Sequence, residues 1–169
     1  MSQEKITMKT PIPKKTSMEM IEILPANQIP LAKKFVELGT RLNCKYKVNA
    51  TCLQKTWKCV YSRTKPSRVF FTITCTAEKL EIKACLRNIN AYCDCLNNCS
   101  DTIKGIITTA FDCHLCSPDF CKGGPAFEFN NKSYKKCVGC CFYFSELTNE
   151  DWESLLMLLN KEYESIKNE

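Results

Sequence analysis

"RVFFTITCTAEKLEIKACLR", residues 68–87, decides the fold class. In its first half Val69, Phe71, Ile73 and Cys75 share one side. In its second half Leu80, Ile82, Ala84 and Leu86 face inward against Glu81, Lys83, Cys85 and Arg87. Alternation with period two marks a strand with one buried face, because successive side chains leave the backbone on opposite sides. Upstream, "TWKCVY" at 56–61 alternates Trp57, Cys59 and Tyr61 with Lys58 and Val60, and "SRTKPS" at 62–67 supplies a turn through Pro66. The links between these runs are far shorter than the roughly a dozen residues that a parallel crossover needs. A three-stranded antiparallel meander is expected.

Helical patterns flank it. Pro30 suits a first helical turn, Leu31, Phe35, Leu38 and Leu42 then fall on one face, and Asn43 is a fair stop. "NINAYCDCLNNC" at 88–99 reads as a short helix. Ser100 or Asp101 then caps another, with Ile103, Ile106, Ile107, Ala110 and Phe111 as its apolar stripe. Thr148 and Asp151 imitate a capping box ahead of Trp152, Leu155, Leu156, Leu158, Leu159, Tyr163 and Ile166. The order helix, meander, helix gives an α+β class. Three segments follow: an extended arm over 1–28, rich in Pro and Lys; an α+β body over 29–112; and a cysteine-rich module over 113–169 ending in the amphipathic helix.

Fourteen cysteines among 169 residues are the anomaly. No stretch is long and apolar enough to span a membrane, and the first twenty residues hold no apolar signal core. A cytoplasmic, reducing address is therefore the expectation, and the sequons at Asn49, Asn98 and Asn131 would matter only on export. In a reducing compartment cysteines serve as metal ligands, reactive thiols or small buried hydrophobes.

Six of them lie in "CHLCSPDFCKGGPAFEFNNKSYKKCVGCC", residues 113–141. Cys113 and Cys116 form one C-x2-C, and Cys137 and Cys140 a second after twenty intervening residues, at the edge of a zinc spacing. Two thiolates on one tight turn occupy two corners of a tetrahedron, and a second turn supplies the others. Between them Gly123, Gly124 and Pro125 redirect the chain, and Phe127, Phe129, Asn130, Asn131 and Tyr134 sketch a hairpin. Knuckle, hairpin, knuckle resembles the zinc-ribbon architecture in general, without pointing to one family. The preferred ligands are Cys113, Cys116, Cys137 and Cys140, with Cys121 and Cys141 as substitutes. Zinc is favoured. An iron–sulfur cluster also takes four thiolates, but the spacing is not a standard ferredoxin one. A redox pair activated by Lys135 and Lys136, or plain thiols, are the other readings. His114, the lone histidine, reads as exposed rather than ligating. Cys59, Cys75 and Cys85 read as ordinary strand residues, and Cys93, Cys95 and Cys99 as a less favoured second ligand set.

Charge is uneven. Between Glu37 and Glu78 there is no acid, while Arg41, Lys45, Lys47, Lys55, Lys58, Arg63, Lys65 and Arg68 are basic; acids dominate from Ser145 onward. Lys55, Lys58, Arg63, Lys65 and Arg68 are the candidate anion-binding set, with Trp57, Tyr61, Phe70 and Phe71 as aromatic neighbours for nucleic acid or a phosphate-bearing ligand. No phosphate loop, H-E-x-x-H or G-x-S-x-G occurs, and an all-cysteine shell suits a closed structural site, so an enzyme is the minority reading. The expectation is a cytosolic zinc-binding regulatory or adaptor protein with a basic surface for an anionic partner. The alternative is a thiol redox, metal-transfer or iron–sulfur protein using the same cysteines.

Overall fold

A computed structural model describes residues 15–51, 55–113, 124, 126–137 and 141–167. The chain is α+β. Helix α1 (Ser17–Met20) runs into a 3-10 turn (Ile21–Ile23), followed by α2 (Ile29–Arg41) and strands β1 (Lys45–Ala50), β2 (Thr56–Arg63), β3 (Arg68–Thr76) and β4 (Leu80–Cys85). A second 3-10 turn (Ile89–Tyr92), α3 (Cys93–Asn97) and α4 (Asp101–Thr109) lead to the hairpin β5 (Ala126–Phe129) and β6 (Lys132–Lys135), then β7 (Cys141–Ser145) and α5 (Asn149–Lys167). Five strands form an antiparallel sheet in the order β1-β2-β3-β4-β7, and β5-β6 stand apart.

The expected meander is β2-β3-β4, but it is the middle of a wider sheet. β1 adds an edge strand that keeps Lys45, Tyr46, Lys47 and Asn49 exposed. β7 pairs with β4, so the chain returns to the sheet after the cysteine run. One face assignment also changes. Tyr61 pairs with Phe71 but Ser62 pairs with Val69, which leaves Phe70 as a bulge residue. The extra residue rotates Val69 away from Phe71, and Val69 is exposed while Phe70 and Phe71 are both buried.

The helices cover the face carrying Trp57, Cys59, Tyr61, Phe71, Ile73, Ile82, Phe142 and Phe144. Residues 17–24, expected as part of an extended arm, instead make the first helical turns and bury Met20, Ile21 and Leu24. Thr16 and Glu19 form a capping box that starts them: the Glu19 amide bonds the Thr16 hydroxyl oxygen, and the Thr16 amide bonds the Glu19 carboxylate at 2.7 Å. α2 lies so close to the sheet that a Cβ at Gly39 would overlap the Tyr61 ring, which itself stacks on Phe71 at 4.6 Å. Asn43 ends the helix with a positive φ of 51°. α5 puts Trp152, Leu155, Leu158 and Leu159 into the same core, with Trp152 edge-on to Phe35 at 5.8 Å. The capping box at Thr148 and Asp151 forms as expected, and Ser100, the N-cap of α4, donates to the same Asp151 carboxylate. That donation, followed by those of Thr148, holds the Asp151 carboxyl below its ordinary range.

Phe111 leaves the stripe expected for α4. The helix ends at Thr109, Ala110 turns extended (ψ 157°), and the Phe111 ring is 87% exposed. The β5-β6 hairpin forms as expected, with Asn130 and Asn131 at φ 49° and 58°, the left-handed pair of a two-residue turn. Phe127 stacks on Tyr134 at 5.2 Å, and the Cys93 thiol and Asn90 side chain bond the Glu128 backbone to anchor the hairpin. Among the described residues, no helix is long and apolar enough to cross a membrane.

Candidate functional sites: the cysteine bridge and the lysine face

The two halves of the cysteine cluster meet in one short antiparallel contact. Asp112 pairs with Lys136, and the flanking amides close it: Cys113 N–H donates to Lys135 O at 2.7 Å, and Cys137 N–H to Phe111 O at 2.8 Å. Side chains alternate, so Asp112 and Lys136 share one side of this bridge. Cys113 and Cys137, the leading cysteines of the two C-x2-C pairs, share the other, diagonally opposed. Gly124 crosses here. Its N–H donates to Cys113 Sγ at 3.4 Å, and a Cβ on it would overlap the Lys136 carbonyl, so glycine alone fits.

On the opposite side Lys136 is 3% exposed, and its ammonium is fully used. It donates to Thr108 O at 2.6 Å, Ala110 O at 2.9 Å and Asp112 Oδ1 at 2.7 Å. Two of these acceptors are carbonyls at the C-terminal end of α4, where helical carbonyls lack partners and a cation is favoured. The lysine thereby ties the bridge to the body.

Of the other candidate ligands, Cys116, Cys121 and Cys140 lie outside the described residues, as does His114. Cys141 is registered against Cys85 at the start of β7. Among the described residues no group of three or more His, Cys, Asp or Glu is placed to hold a metal. In the less favoured second set, the Cys93 thiol is engaged by Glu128 O at 3.0 Å and that of Cys99 by Cys95 O at 3.3 Å. Cys59 and Cys75 are core residues, and burial pushes their thiols up to about 11 and about 12. Only roughly one in a thousand or fewer is then ionised at pH 8, so both should resist alkylation in the native protein and react fully in denaturant. Peptide mapping after iodoacetamide treatment checks this; native labelling at free-cysteine rates would overturn the assignment.

The candidate anion-binding residues do not gather. Arg63 is buried on the helix-covered face, its guanidinium 4.8 Å above the Tyr163 ring of α5, and Arg68 lies opposite it in register. Lys55 and Lys65 are exposed at opposite ends of β2, roughly 30 Å apart. Lys58 is exposed on the open face. Trp57, Tyr61, Phe70 and Phe71 are all buried, so none is available to a ligand.

Register assembles a different basic surface. On the face away from the helices, one cross-strand row runs Lys47, Val60, Thr72, Lys83, Tyr143 through all five strands. The adjacent row runs Asn49, Lys58, Thr74, Glu81, Ser145. Lys45 adds a further cation beside them, leaving Glu81 as the only acid in these rows. With strands about 4.8 Å apart, the first row spans about 19 Å. Lys83 Nζ sits 5.2 Å from the Tyr143 ring centre, and that ring is 57% exposed. Lys83 looked like any solvent-side strand residue, and only the pairing shows that it continues a line begun by Lys47.

Comparison with protein-family models, curated proteins and solved structures finds no match for this chain.

Proposed function

We propose that this protein is a binding module, regulatory or adaptor in role, whose open sheet face takes a single-stranded nucleic acid. In this reading a structural thiolate site, zinc in preference to an iron–sulfur cluster, staples the Cys113–Cys137 bridge. The observation that carries the proposal is the row from Lys47 through Lys83 to Tyr143. Cations spread over the face, with Lys47 and Lys83 about 14 Å apart in one row and Lys58 in the next, match a chain of phosphates better than one compact phosphate, which would want donors converging on a point. Lysines flanked by small hydroxyls and ending in an exposed ring suit an unpaired strand, whose backbone seeks charge and whose bases seek a stacking surface. The thiol redox alternative draws less support, since Lys136 is already committed to three acceptors.

The test is a salt titration of oligonucleotide binding for wild type and for the combined variant Lys47→Gln, Lys58→Gln, Lys83→Gln. Each lysine neutralised should reduce the slope of log K against log salt by about 0.7, so the triple variant should lose roughly 2 units of slope. Arg63→Gln should instead lower stability and leave the slope unchanged. Binding indifferent to salt, or a triple variant with the wild-type slope, would remove the proposal.

A further inference from the structure

Where the lysine row reaches β7, the open face runs into a groove of about 530 Å³, bounded by the end of α4, the Asp112–Lys136 bridge and β7 itself. We infer that this groove is a subsite for one nucleobase, taken between the rings of Phe111 and Tyr143, with Lys83 at its mouth meeting the adjoining phosphate. The inference rests on the nucleic-acid reading above and assigns it a place for the base.

Three observations lead there. Phe111 and Tyr143 are the two most exposed large apolar side chains among the described residues, at 87% and 57%, and both line this one groove. Exposed rings brought together in a concavity mark a binding surface more than chance placement does. Second, the groove is apolar within, where Ile106, Ala110 and the buried Phe142 ring face it, and cationic at its edge, where Lys83 sits 5.2 Å from the Tyr143 ring. A nucleotide has that same division, a flat ring attached to an anion. Lys136 also borders the groove, but its three donors are committed to Thr108, Ala110 and Asp112, so it fixes the wall. Third, the Phe111 backbone is held in place, its carbonyl accepting the Cys137 amide at 2.8 Å. A ring exposed to water on a fixed stem loses little freedom when a base stacks on it.

The experiment uses the full chain and two probes: a fluorescent single-stranded oligonucleotide of about 12 nucleotides, and inorganic polyphosphate, which has the charge without the bases. Phe111→Ala and Tyr143→Ala remove exposed rings, and circular dichroism checks that both variants fold. Each should weaken oligonucleotide binding by about tenfold, keep the salt slope, and leave polyphosphate binding unchanged. Unaltered oligonucleotide affinity in both variants, or an equal loss for polyphosphate, overturns the subsite while leaving the lysine face intact. If wild type binds neither probe, the underlying reading fails and takes the subsite with it.

Discussion

Replacing Lys136 by methionine should destabilise the protein by about 3 kcal/mol, a far larger loss than the same change at its neighbour Lys135. Lys136 is 3% exposed and donates to two carbonyls at the end of α4 and to Asp112, with the Tyr134 ring 5.1 Å from its nitrogen. Hydrogen bonds from a charged donor contribute about 1.5–3 kcal/mol each, but taking the ammonium out of water offsets much of that sum. Methionine keeps most of the apolar stem and leaves two part-buried carbonyls without their lysine donor, so the net loss should be near the value for one such bond, about 3 kcal/mol. Lys135 is exposed, and methionine there should change stability by no more than about 0.5 kcal/mol. Asp112→Asn should cost about 1 kcal/mol or less, because that carboxylate is 65% exposed and water replaces its share of the pair. Urea unfolding of the three variants measures the differences. A loss below about 1 kcal/mol at Lys136 would mean that its acceptors find water, and that the bridge is not fastened to α4 in the way described.

The sheet and the site differ in how far each could be read from residue order. β2, β3 and β4 bury one face and expose the other, so their alternation is written in the chain, as are the Asn130-Asn131 turn and the caps at Ser100 and Thr148. β1 offers little contrast because an edge strand buries little. β7, "CFYFS", alternates at Phe142 and Phe144, yet it begins on a cysteine of the cluster, which hides its start. Thr16 and Glu19 have the spacing of a capping box, a signal hidden by the prolines and lysines around it. The bulge at Phe70 has no local signature, and it moved Val69 to the other face.

Basic residues close in sequence are dispersed in the fold for a more general reason. Nearness in sequence suggested the β2-β3 turn, but neighbours along a strand point to opposite faces, so Lys58 and Arg63 part company. Residues that do share a face, Lys47, Lys58 and Lys83, come from three strands and meet only through pairing register. A cross-strand row depends on every turn length between its members, which periodicity within one strand does not reveal. Of the two C-x2-C pairs, the leading cysteines Cys113 and Cys137 come to one side of the Asp112–Lys136 bridge, and that pairing too is set by register rather than by spacing.

Withdrawing metal is the second large perturbation. If thiolates from both C-x2-C pairs hold one ion, protein purified without added metal should carry about one equivalent of zinc and no visible absorption, and a strong chelator should expose about four further thiols. The expected structural response is graded. The main sheet has its own core of Phe35, Tyr61, Phe71, Ile73, Ile82 and Phe144, and it should survive. The bridge is short, closed by the Cys113 and Cys137 amides, and Gly124 is threaded against it. Without an ion to hold the sulfurs, that contact should open first, together with the β5-β6 hairpin beyond it. A stabilisation of about 5 kcal/mol would appear as a fall in melting temperature of roughly 10–20 °C for a chain of this size. Hydrogen exchange should locate the loss at 111–113 and 135–137 while β2-β3-β4 stays protected. Cys59 and Cys75 should remain silent to thiol reagent throughout, which separates release of ligands from general unfolding. Visible absorption with bound iron would replace zinc by an iron–sulfur cluster on the same cysteines. Metal-free protein with the same thiol count and melting temperature before and after chelation would leave Cys113 and Cys137 as neighbours with no ion to join them.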